Sequence, residues 1–320
     1  MTRFAKYAWG VLAYNLVVIL WGAFVRASGS GAGCGSHWPL CNGEVIPIMP
    51  QISTLIEFTH RLMSGAALLS VVVLLIWAMR KYQPRHLVRR GAGFSMLFMI
   101  TEALVGAGLV LLQLVAENTS IARGFSISIH LVNTFLLLAC LSLTAWWASG
   151  GRPLTIREGG EVAWVLGIGL AGMLVLGMSG AITALGDTLF PANSFSEGLR
   201  QELSATTHIF LRLRILHPTI AVVVSIYLIL ATSWVTIVRP GTQLTNLRRG
   251  LSILVAIQIL AGVVNVFLLA PIWLQLVHLL ISDAIWILLV LFSANALAEY
   301  PQLLPSQRKS AISVKDGSAV

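Results

Sequence analysis

Charged residues are scarce in this chain. Lys, Arg, Asp and Glu make up 10% of its 320 residues, whereas hydrophobic residues make up 57%. An ordinary soluble domain carries roughly a quarter charged residues. A soluble chain of this length could not remove so much apolar surface from water. The composition therefore excludes a soluble globular protein and predicts a polytopic integral membrane protein.

Acidic residues are scarcer than basic residues, with 12 Asp and Glu against 21 Lys and Arg, so the formal net charge is +9. Such an excess can indicate nucleic-acid binding, but here 15 of the 21 Lys and Arg residues lie in alternate short connections between apolar segments. This distribution excludes a nucleic-acid partner, leaves membrane lipid as the surroundings and follows the positive-inside rule. It predicts that both termini are cytoplasmic. The 15 residues are Arg3, Lys6, Arg80, Lys81, Arg85, Arg89, Arg90, Arg152, Arg157, Arg239, Arg248, Arg249, Arg308, Lys309 and Lys315.

Eight apolar segments are long enough to cross a hydrocarbon core of about 30 Å, which takes roughly 20 residues of helix. We therefore predict an all-α integral membrane fold with eight transmembrane helices. The N-terminus shows neither a cleavable signal nor an Arg- and Ser-rich transit pattern, so the expected location is a prokaryotic plasma membrane. The predicted segments are 7–26, 54–79, 92–115, 123–148, 162–185, 206–238, 249–270 and 272–298.

Cysteine is also rare, and two of the three cysteines, Cys34 and Cys41, lie in "GCGSHWPLCNGEVIP" at 33–47. The predicted topology places this loop outside, in an oxidising compartment, where the two thiols are expected to form a disulfide. Two alternatives remain open, namely two free thiols or a metal pair completed by His37. The metal site is disfavoured because four ligands for a structural metal are not in view. Cys140 lies inside the fourth segment and is interpreted as a packing residue.

The two halves of the chain resemble each other. "GAFVRASGSG" (22–31) matches "GAITALGDTL" (180–189), and "EALVGAGLVL" (102–111) matches "QILAGVVNVF" (258–267), at offsets of 158 and 156 residues. Because each half contains an even number of segments, the halves share one membrane orientation and form a parallel repeat. We therefore predict two pseudosymmetric four-helix bundles. The predicted boundaries are 1–150 for the first bundle, 151–300 for the second and 301–320 for a cytoplasmic tail.

Four histidines, His60, His130, His217 and His278, lie at repeat-related positions in segments that run from outside to inside in the predicted topology. Each lies within about two helical turns of the outer end, so each half presents two imidazoles at one depth. Two facing imidazoles in an apolar bundle suit haem iron, whereas zinc or copper would take more ligands or a sulfur. A satisfied interhelical hydrogen bond is the alternative for any single histidine. The remaining histidines are interpreted as surface residues: His37, His86 and His208.

Glu57 precedes His60 by one helical turn, and its counterpart in the second half is Arg214, one turn before His217. A carboxylate in a low-dielectric site beside a haem edge can hold a proton and act as an acid or base. An arginine suits a haem propionate through bidentate contact. The alternative for Glu57 is a structural pair with Arg61, four residues further along.

A second carboxylate, Glu102, lies inside the third segment. Its counterpart in the second half is Gln258. Because an amide takes the place of the carboxylate, we interpret the pair as a polar contact between helices rather than as a catalytic group.

These features together resemble the haem A synthase family of membrane enzymes. The most specific part is "RASGSGAGCGSHWPLC" (26–41), followed by "IEFTHRLMSG" (56–65) and by the histidine of the fourth segment, and the resemblance covers essentially the whole chain. It implies oxidation of the C8 methyl group of haem O to a formyl group, which gives haem A for terminal oxidases. It also implies a haem O synthase and cytochrome oxidase assembly factors as partners.

The resemblance assigns roles to the residues already singled out. In the second half, it implies that His217 and His278 ligate a haem b that serves as an electron-transfer cofactor. In the first half, it implies that His60 and His130 receive the substrate haem O. Glu57 matches the essential acidic residue of the family.

One departure from the family concerns cysteine. Cys34 and Cys41 match its first external cysteine pair. Many members carry a second pair between the fifth and sixth segments, where this chain reads "GDTLFPANSFSEGLRQELS" (186–204) and has no cysteine. The sequence therefore gives no support to a role that needs two disulfides.

Two other classes of protein remain open on the residues alone. A di-haem b-type membrane electron carrier without substrate chemistry needs four equivalent ligands, and the contrast between Glu57 and Arg214 disfavours it. A haem exporter or chaperone is expected to present an exposed aromatic-rich platform outside, for which Trp38 is the one candidate.

Overall fold

The computed structural model describes residues 1–203 and 208–298, and the tail expected at 301–320 lies outside the described residues. Within the described ranges the chain forms ten α-helices, a short 3₁₀ turn at Ile156–Glu158 and two isolated β-bridges. The helices are α1 (Arg3–Ala27), α2 (Ile52–Lys81), α3 (Leu87–Leu111), α4 (Ile121–Ala148), α5 (Gly160–Leu189), α6 (Phe195–Leu203), α7 (Ile209–Arg214), α8 (Leu216–Val238), α9 (Thr242–Phe267) and α10 (Ile272–Ala296).

Eight spans in the described part of the chain are long and apolar enough to cross a membrane, and α7 and α8 together form the sixth of them, Ile209–Val238. The all-α fold with eight spanning helices is therefore confirmed. The largest differences from the predicted starts are in α3, which begins at Leu87 rather than 92, and in α9, which begins at Thr242 rather than 249. In both, the additional turns carry arginines, which end an apolar run but are well tolerated where a helix leaves the hydrocarbon region.

The sixth span is interrupted at Ile215, where α7 ends and α8 begins. Pro218 follows three residues later. Proline has no N–H to donate to the carbonyl of the residue four positions earlier, here Arg214, and its ring clashes with that carbonyl. Arg61 stands at the repeat-related position, and α2 continues through it without interruption. The break therefore follows from Pro218, and it places His217 in the first turn of α8.

Two histidines predicted to be surface residues cap helices. Nδ1 of His86 accepts a hydrogen bond from the Val88 N–H at 3.2 Å, and Nδ1 of His208 accepts one from the Phe210 N–H at 3.3 Å. Each bond satisfies an amide group that the N-terminus of a helix leaves without a partner. His86 is exposed, whereas His208 is half-buried between the rings of Phe190 and Phe210.

The spanning helices contact one another in two closed rings with the same connectivity. In the first ring α1 contacts α2, α2 contacts α3, α3 contacts α4 and α4 contacts α1. In the second ring α5 contacts α8, α8 contacts α9, α9 contacts α10 and α10 contacts α5. The main contacts between the rings are those of α1 and α4 with α5 and α10.

The outward faces of the rings carry large apolar side chains. Leu69, Leu104, Leu230 and Leu260 are each between 60% and 65% exposed. Soluble monomers rarely expose apolar patches of this extent. Lipid acyl chains cover such a surface at little cost, because the chain satisfies its backbone hydrogen bonds inside its own helices. The chain is therefore a multi-pass membrane protein.

Hydrogen bonds from Trp286 and from Arg26 join the rings. Trp286 of α10 donates its Nε1–H to the carbonyl of Phe135 on α4 at 2.6 Å, and the two aromatic rings stack with centroids 5.0 Å apart. Near the end of α1, Arg26 donates to the carbonyl of Ala184 on α5 at 2.5 Å and to Oε1 of Gln275 on α10 at 2.9 Å. These directional bonds fix the register between rings that otherwise pack through apolar side chains.

Candidate functional site

Each predicted ligand histidine packs against a glycine of a neighbouring helix. His60 of α2 lies against Gly22 of α1, where a Cβ would be 2.9 Å from the imidazole Cε1. In the second ring His217 of α8 lies against Gly180 of α5, where a Cβ would be 3.1 Å from Cε1. A side chain at either glycine would have to displace the imidazole. The glycine therefore determines how closely each imidazole can approach the neighbouring helix.

The other two histidines repeat this arrangement. A Cβ at Gly106 of α3 would lie 3.8 Å from Nε2 of His130, and a Cβ at Gly262 of α9 would lie 3.3 Å from Cε1 of His278. The glycines are themselves 158 and 156 residues apart, which matches the sequence repeat. A unit of one histidine and one glycine therefore occurs on four helix pairs.

Within each ring the two histidines lie on diagonally opposite helices, α2 and α4 in the first ring and α8 and α10 in the second. His60 and His130 are near enough to interact electrostatically, and so are His217 and His278. All four are half-buried. The fold thus brings together the two pairs that the sequence predicted, one pair in each ring.

Glu102 of α3 lies directly beside His130, a contact that the sequence analysis missed. Its Oε1 is 3.1 Å from Nδ1 of His130. Two neighbouring side chains of α4 hold the carboxylate, because Thr134 donates its hydroxyl to Oε1 at 2.5 Å and Asn133 donates its amide to Oε2 at 2.5 Å. The predicted polar contact between helices is therefore present, and it includes His130, a candidate haem ligand.

The second ring supports its histidines differently. Oγ of Ser179 on α5 shares a hydrogen bond of 2.9 Å with Nδ1 of His217. Neither Nδ1 of His278 nor Oε1 of Gln258, the counterpart of Glu102, has a hydrogen-bond partner in residues 1–203 and 208–298. Nδ1 of His60 and Nδ1 of His130 also have none in those ranges, although the Glu102 carboxylate lies 3.1 Å from Nδ1 of His130.

Glu57 is 3% exposed, and both of its carboxylate oxygens are engaged. Arg61 donates to Oε1 at 2.5 Å, and the backbone N–H of Cys34 donates to Oε2 at 2.8 Å. The structural pair with Arg61 that the spacing allowed is therefore formed. Glu57 additionally connects α2 to the loop that carries the cysteines.

The same loop is held at three further points. Arg61 donates to the carbonyls of His37 and Leu40 at 2.6 and 2.5 Å, and the Thr54 hydroxyl donates to the carbonyl of Gly33 at 2.7 Å. In a loop without regular structure, such side-chain donors take the place of backbone hydrogen-bond partners. The loop therefore closes over the N-terminal turns of α2, directly above Glu57.

Cys34 and Cys41 are buried, and their Sγ atoms lie at bonding distance, 2.01 Å. His37, the third member of the alternative metal site, is exposed. In the part of the chain that the structure describes, no group of three or more His, Cys, Asp and Glu side chains is placed to hold a metal ion. The disulfide between Cys34 and Cys41 stays a prediction.

Arg214 lies at the end of α7 and donates from Nη1 to Oδ1 of Asp187 on α5 at 2.8 Å. Both side chains are largely buried. The sequence suggested that Arg214 serves a haem propionate, and this role stays a prediction. Its ion pair with Asp187 was not predicted, because the two residues lie on different helices.

Asp283 of α10 is fully buried, and neither of its carboxylate oxygens has a hydrogen-bond partner among the described residues. Five positions separate it from His278, which turns it about 140° around the helix at roughly 100° per residue. It therefore points away from the histidine. The sequence carried a signal for it, since a lone ionisable residue inside an apolar run is unusual.

The fold and these residues define a class, the multi-pass α-helical membrane proteins with histidine pairs inside their bundles. Within that class the chain belongs to the COX15-CtaA family, described as cytochrome oxidase assembly protein, whose family model matches residues 5–290. The family predicted from the sequence is thereby confirmed.

Three relatives show how the match is distributed. A protein of Thermus thermophilus named Protoheme IX farnesyltransferase is 53% identical over 296 residues, which are 92% of this chain and 49% of that protein. Heme A synthase of Halalkalibacterium halodurans is 37% identical over 148 residues, which are 45% of this chain and 47% of the relative. Heme A synthase of Exiguobacterium sibiricum is 35% identical over 126 residues, which are 39% of this chain and 42% of the relative. The chain thus spans about half the length of the curated relatives it matches.

Proposed function

We propose that this chain is a haem A synthase, a membrane oxidoreductase that converts the C8 methyl group of haem O to the formyl group of haem A. The observation that carries the proposal is a difference between the rings. Glu57 and Glu102 accompany the histidines of the first ring, whereas Arg214 and Gln258 occupy the repeat-related positions of the second. Two chemically different sites are expected when one haem is altered and the other passes electrons. Membership of the family and the two Heme A synthases among the relatives support the proposal.

The donor groups of both rings fit haem. Imidazole nitrogen is a common axial ligand of haem iron, and cofactor sites in helix bundles are built from side chains on facing helices. The four glycines let each imidazole lie against a neighbouring helix, because a Cβ there would come within 2.9 to 3.8 Å of the imidazole. In the second ring we assign His217 and His278 as the ligands of a haem b, which when bound supplies one-electron transfer.

In the first ring we assign His60 and His130 to the substrate haem O. Conversion of the methyl group to a formyl group adds one oxygen atom, and with water as its source the conversion releases four protons and four electrons. The electrons would pass through the haem b to an external electron acceptor. A group that takes up protons is therefore needed at the substrate edge, and we assign this role to Glu57. Its position one helical turn before His60 supports the assignment.

The division into two units is also a proposal. We infer that residues 1–150 and 151–300 form two pseudosymmetric four-helix units. The identical connectivity of the two helix rings and the four histidine and glycine units support this division.

The name of the Thermus relative raises farnesyl transfer as a second candidate activity. Transfer from a prenyl diphosphate uses Mg²⁺, which binds through carboxylates together with the substrate phosphates. The three aspartates of this chain, Asp187, Asp283 and Asp316, are far apart in the sequence. The described residues contain no cluster of potential metal ligands. We therefore assign farnesyl transfer to the part of the Thermus protein that this chain does not match.

We also propose that a haem O synthase and cytochrome oxidase assembly factors are partners of this chain.

Pigment analysis separates the candidate activities. The chain is expressed with and without a haem O synthase in a host that makes neither haem O nor haem A, and the haems are extracted and separated by chromatography. A haem A synthase yields haem b alone without the second enzyme, and haem A when haem O is supplied. A di-haem electron carrier yields haem b in both strains and no haem A in either, and any haem O that the synthase supplies stays unconverted. Haem O in the strain without the synthase would mean that this chain itself transfers the farnesyl group.

We further propose that the protein lies in a prokaryotic plasma membrane with both termini cytoplasmic and the Cys34–Cys41 loop outside, closed by a disulfide. Reporter fusions at Tyr82 and Asn42 test this orientation, because the two positions lie at opposite ends of α2. We expect an external signal at Asn42 and a cytoplasmic signal at Tyr82. The reverse pattern would overturn the orientation and, with it, the oxidising environment expected for the cysteines.

A further inference from the structure

We propose that Glu102 is a positioning residue that acts through His130 and makes it the stronger of the two haem ligands in the first ring. The inference rests on the proposed function, because it assumes that a haem binds between His60 and His130. It concerns a residue that the sequence repeat alone assigned to a simple contact between helices.

Two side chains of α4 hold the carboxylate of Glu102 in place. Thr134 and Asn133 each donate to one of its oxygens at 2.5 Å. His130, Asn133 and Thr134 are spaced i, i+3 and i+4 on α4, which places all three side chains on one face of that helix. The face meets Glu102, and the carboxylate therefore stands ready beside Nδ1 of His130 at 3.1 Å.

The geometry suits a carboxylate that supports a metal ligand. Histidines that bind metals usually donate their second ring N–H to a carboxylate or carbonyl, which fixes the tautomer and raises the basicity of the ligating nitrogen. A proton on Nδ1 leaves Nε2 free for iron. The imidazole is turned so that its N–H does not yet align with the oxygen. Such bonds are often poorly aligned without the bound ligand, and the proposal requires the imidazole to turn until this N–H points at Oε1 of Glu102.

The second ring shows that a histidine at this position does not need a carboxylate in order to pack. His278 stands at the position of His130, with Gln258, Ile281 and Ser282 in place of Glu102, Asn133 and Thr134. Among the described residues no carboxylate lies within ion-pair distance of His278, whereas Glu102 lies 3.1 Å from Nδ1 of His130. The whole group of three supporting side chains is therefore specific to the ring that we assign to the substrate.

Haem binding to the first ring can be measured in isolation. The full-length His217→Ala/His278→Ala variant removes both second-ring ligands, and ferric haem b is then titrated as the probe while its absorption spectrum is followed. We expect Glu102→Gln to weaken binding about 10- to 100-fold, the usual effect of losing such a partner. Thr134→Val, which keeps the carboxylate but removes one of its supports, should weaken binding less and in the same direction.

A double-mutant cycle shows through which residue Glu102 acts. In a His60→Ala background, Glu102→Gln should still weaken binding by its full factor. In a His130→Ala background it should have no further effect. Electron paramagnetic resonance supplies a readout that a purely structural role would not move. Glu102→Gln should shift the ferric signal of the first-ring haem while leaving that of the second-ring haem in the otherwise unmodified chain unchanged.

The possible outcomes separate this inference from the proposed function. If the double variant binds no haem, or binds it regardless of His60 and His130, the proposed function fails. If binding needs both histidines but Glu102→Gln changes neither the affinity nor the ferric signal, the role of Glu102 alone is refuted. An equal effect of Glu102→Gln with and without His130 also refutes it.

Discussion

Replacing His217 or His278 with alanine is expected to remove the tightly bound haem b from the purified protein. A six-coordinate haem iron loses one of its two axial ligands in either variant. No carboxylate in the described ranges contacts either histidine and could take over as a ligand. We expect each variant to lose most of its haem b, measured as haem per protein from the pyridine haemochrome spectrum.

His208→Ala is the matched control for this result. His208 lies in the same region of the chain, but its imidazole caps α7 and packs between Phe190 and Phe210. This variant should retain haem b. His60→Ala and His130→Ala should also retain it while abolishing haem A formation. Loss of the same haem b from a first-ring variant would reverse our assignment of the two rings.

The sequence was sufficient to predict features that a single helix determines, namely the spans and the positions of residues along them. Apolar runs predicted all eight spans, because lipid requires long apolar segments and a helix satisfies its own backbone groups. The repeat predicted that His60 and His217, and likewise His130 and His278, stand at related positions. The glycines that accommodate these imidazoles were inside the matched segments, yet their role became visible only when neighbouring helices were in place.

Contacts between helices could not be predicted from the sequence. The pairing of Glu102 with His130 and that of Arg214 with Asp187 depend on the rotation and register of two helices, which hydropathy does not encode. The break at Ile215 was predictable in principle, because Pro218 removes a hydrogen-bond donor inside the sixth span. Asp283 was visible as an ionisable residue in an apolar run. The sequence could not show that its carboxylate has no hydrogen-bond partner among the described residues.

Glu57 holds a structural position in the fold, and we also propose that it takes up protons from the substrate. Its two oxygens accept from Arg61 and from the backbone of Cys34, so the side chain ties the external loop to α2. The question is whether the protein needs the charge of Glu57 or only the shape of the loop.

Glu57→Gln is expected to lower haem A formation by about 10²- to 10⁴-fold, the usual contribution of a positioned acid or base. The amide cannot titrate near neutral pH. It also has a single acceptor oxygen, so it can satisfy either Arg61 or the Cys34 N–H but not both. The variant should still insert and should keep the haem b of the second ring, which lies on other helices. Haem A and haem O in pigment extracts, normalised to haem b, measure the effect.

Thr54→Val distinguishes loss of the charge from loosening of the loop. It removes the hydroxyl that bonds the carbonyl of Gly33 at 2.7 Å and leaves the carboxylate untouched. If Glu57 only anchors the loop, Thr54→Val and Glu57→Gln should lower haem A to a similar extent. If Glu57 takes up protons from the substrate, Thr54→Val should keep most of the activity and Glu57→Asp should restore part of what Glu57→Gln loses. Near-normal haem A from Glu57→Gln would reduce Glu57 to the partner of Arg61, and the chemistry of the first ring would then depend on its histidines.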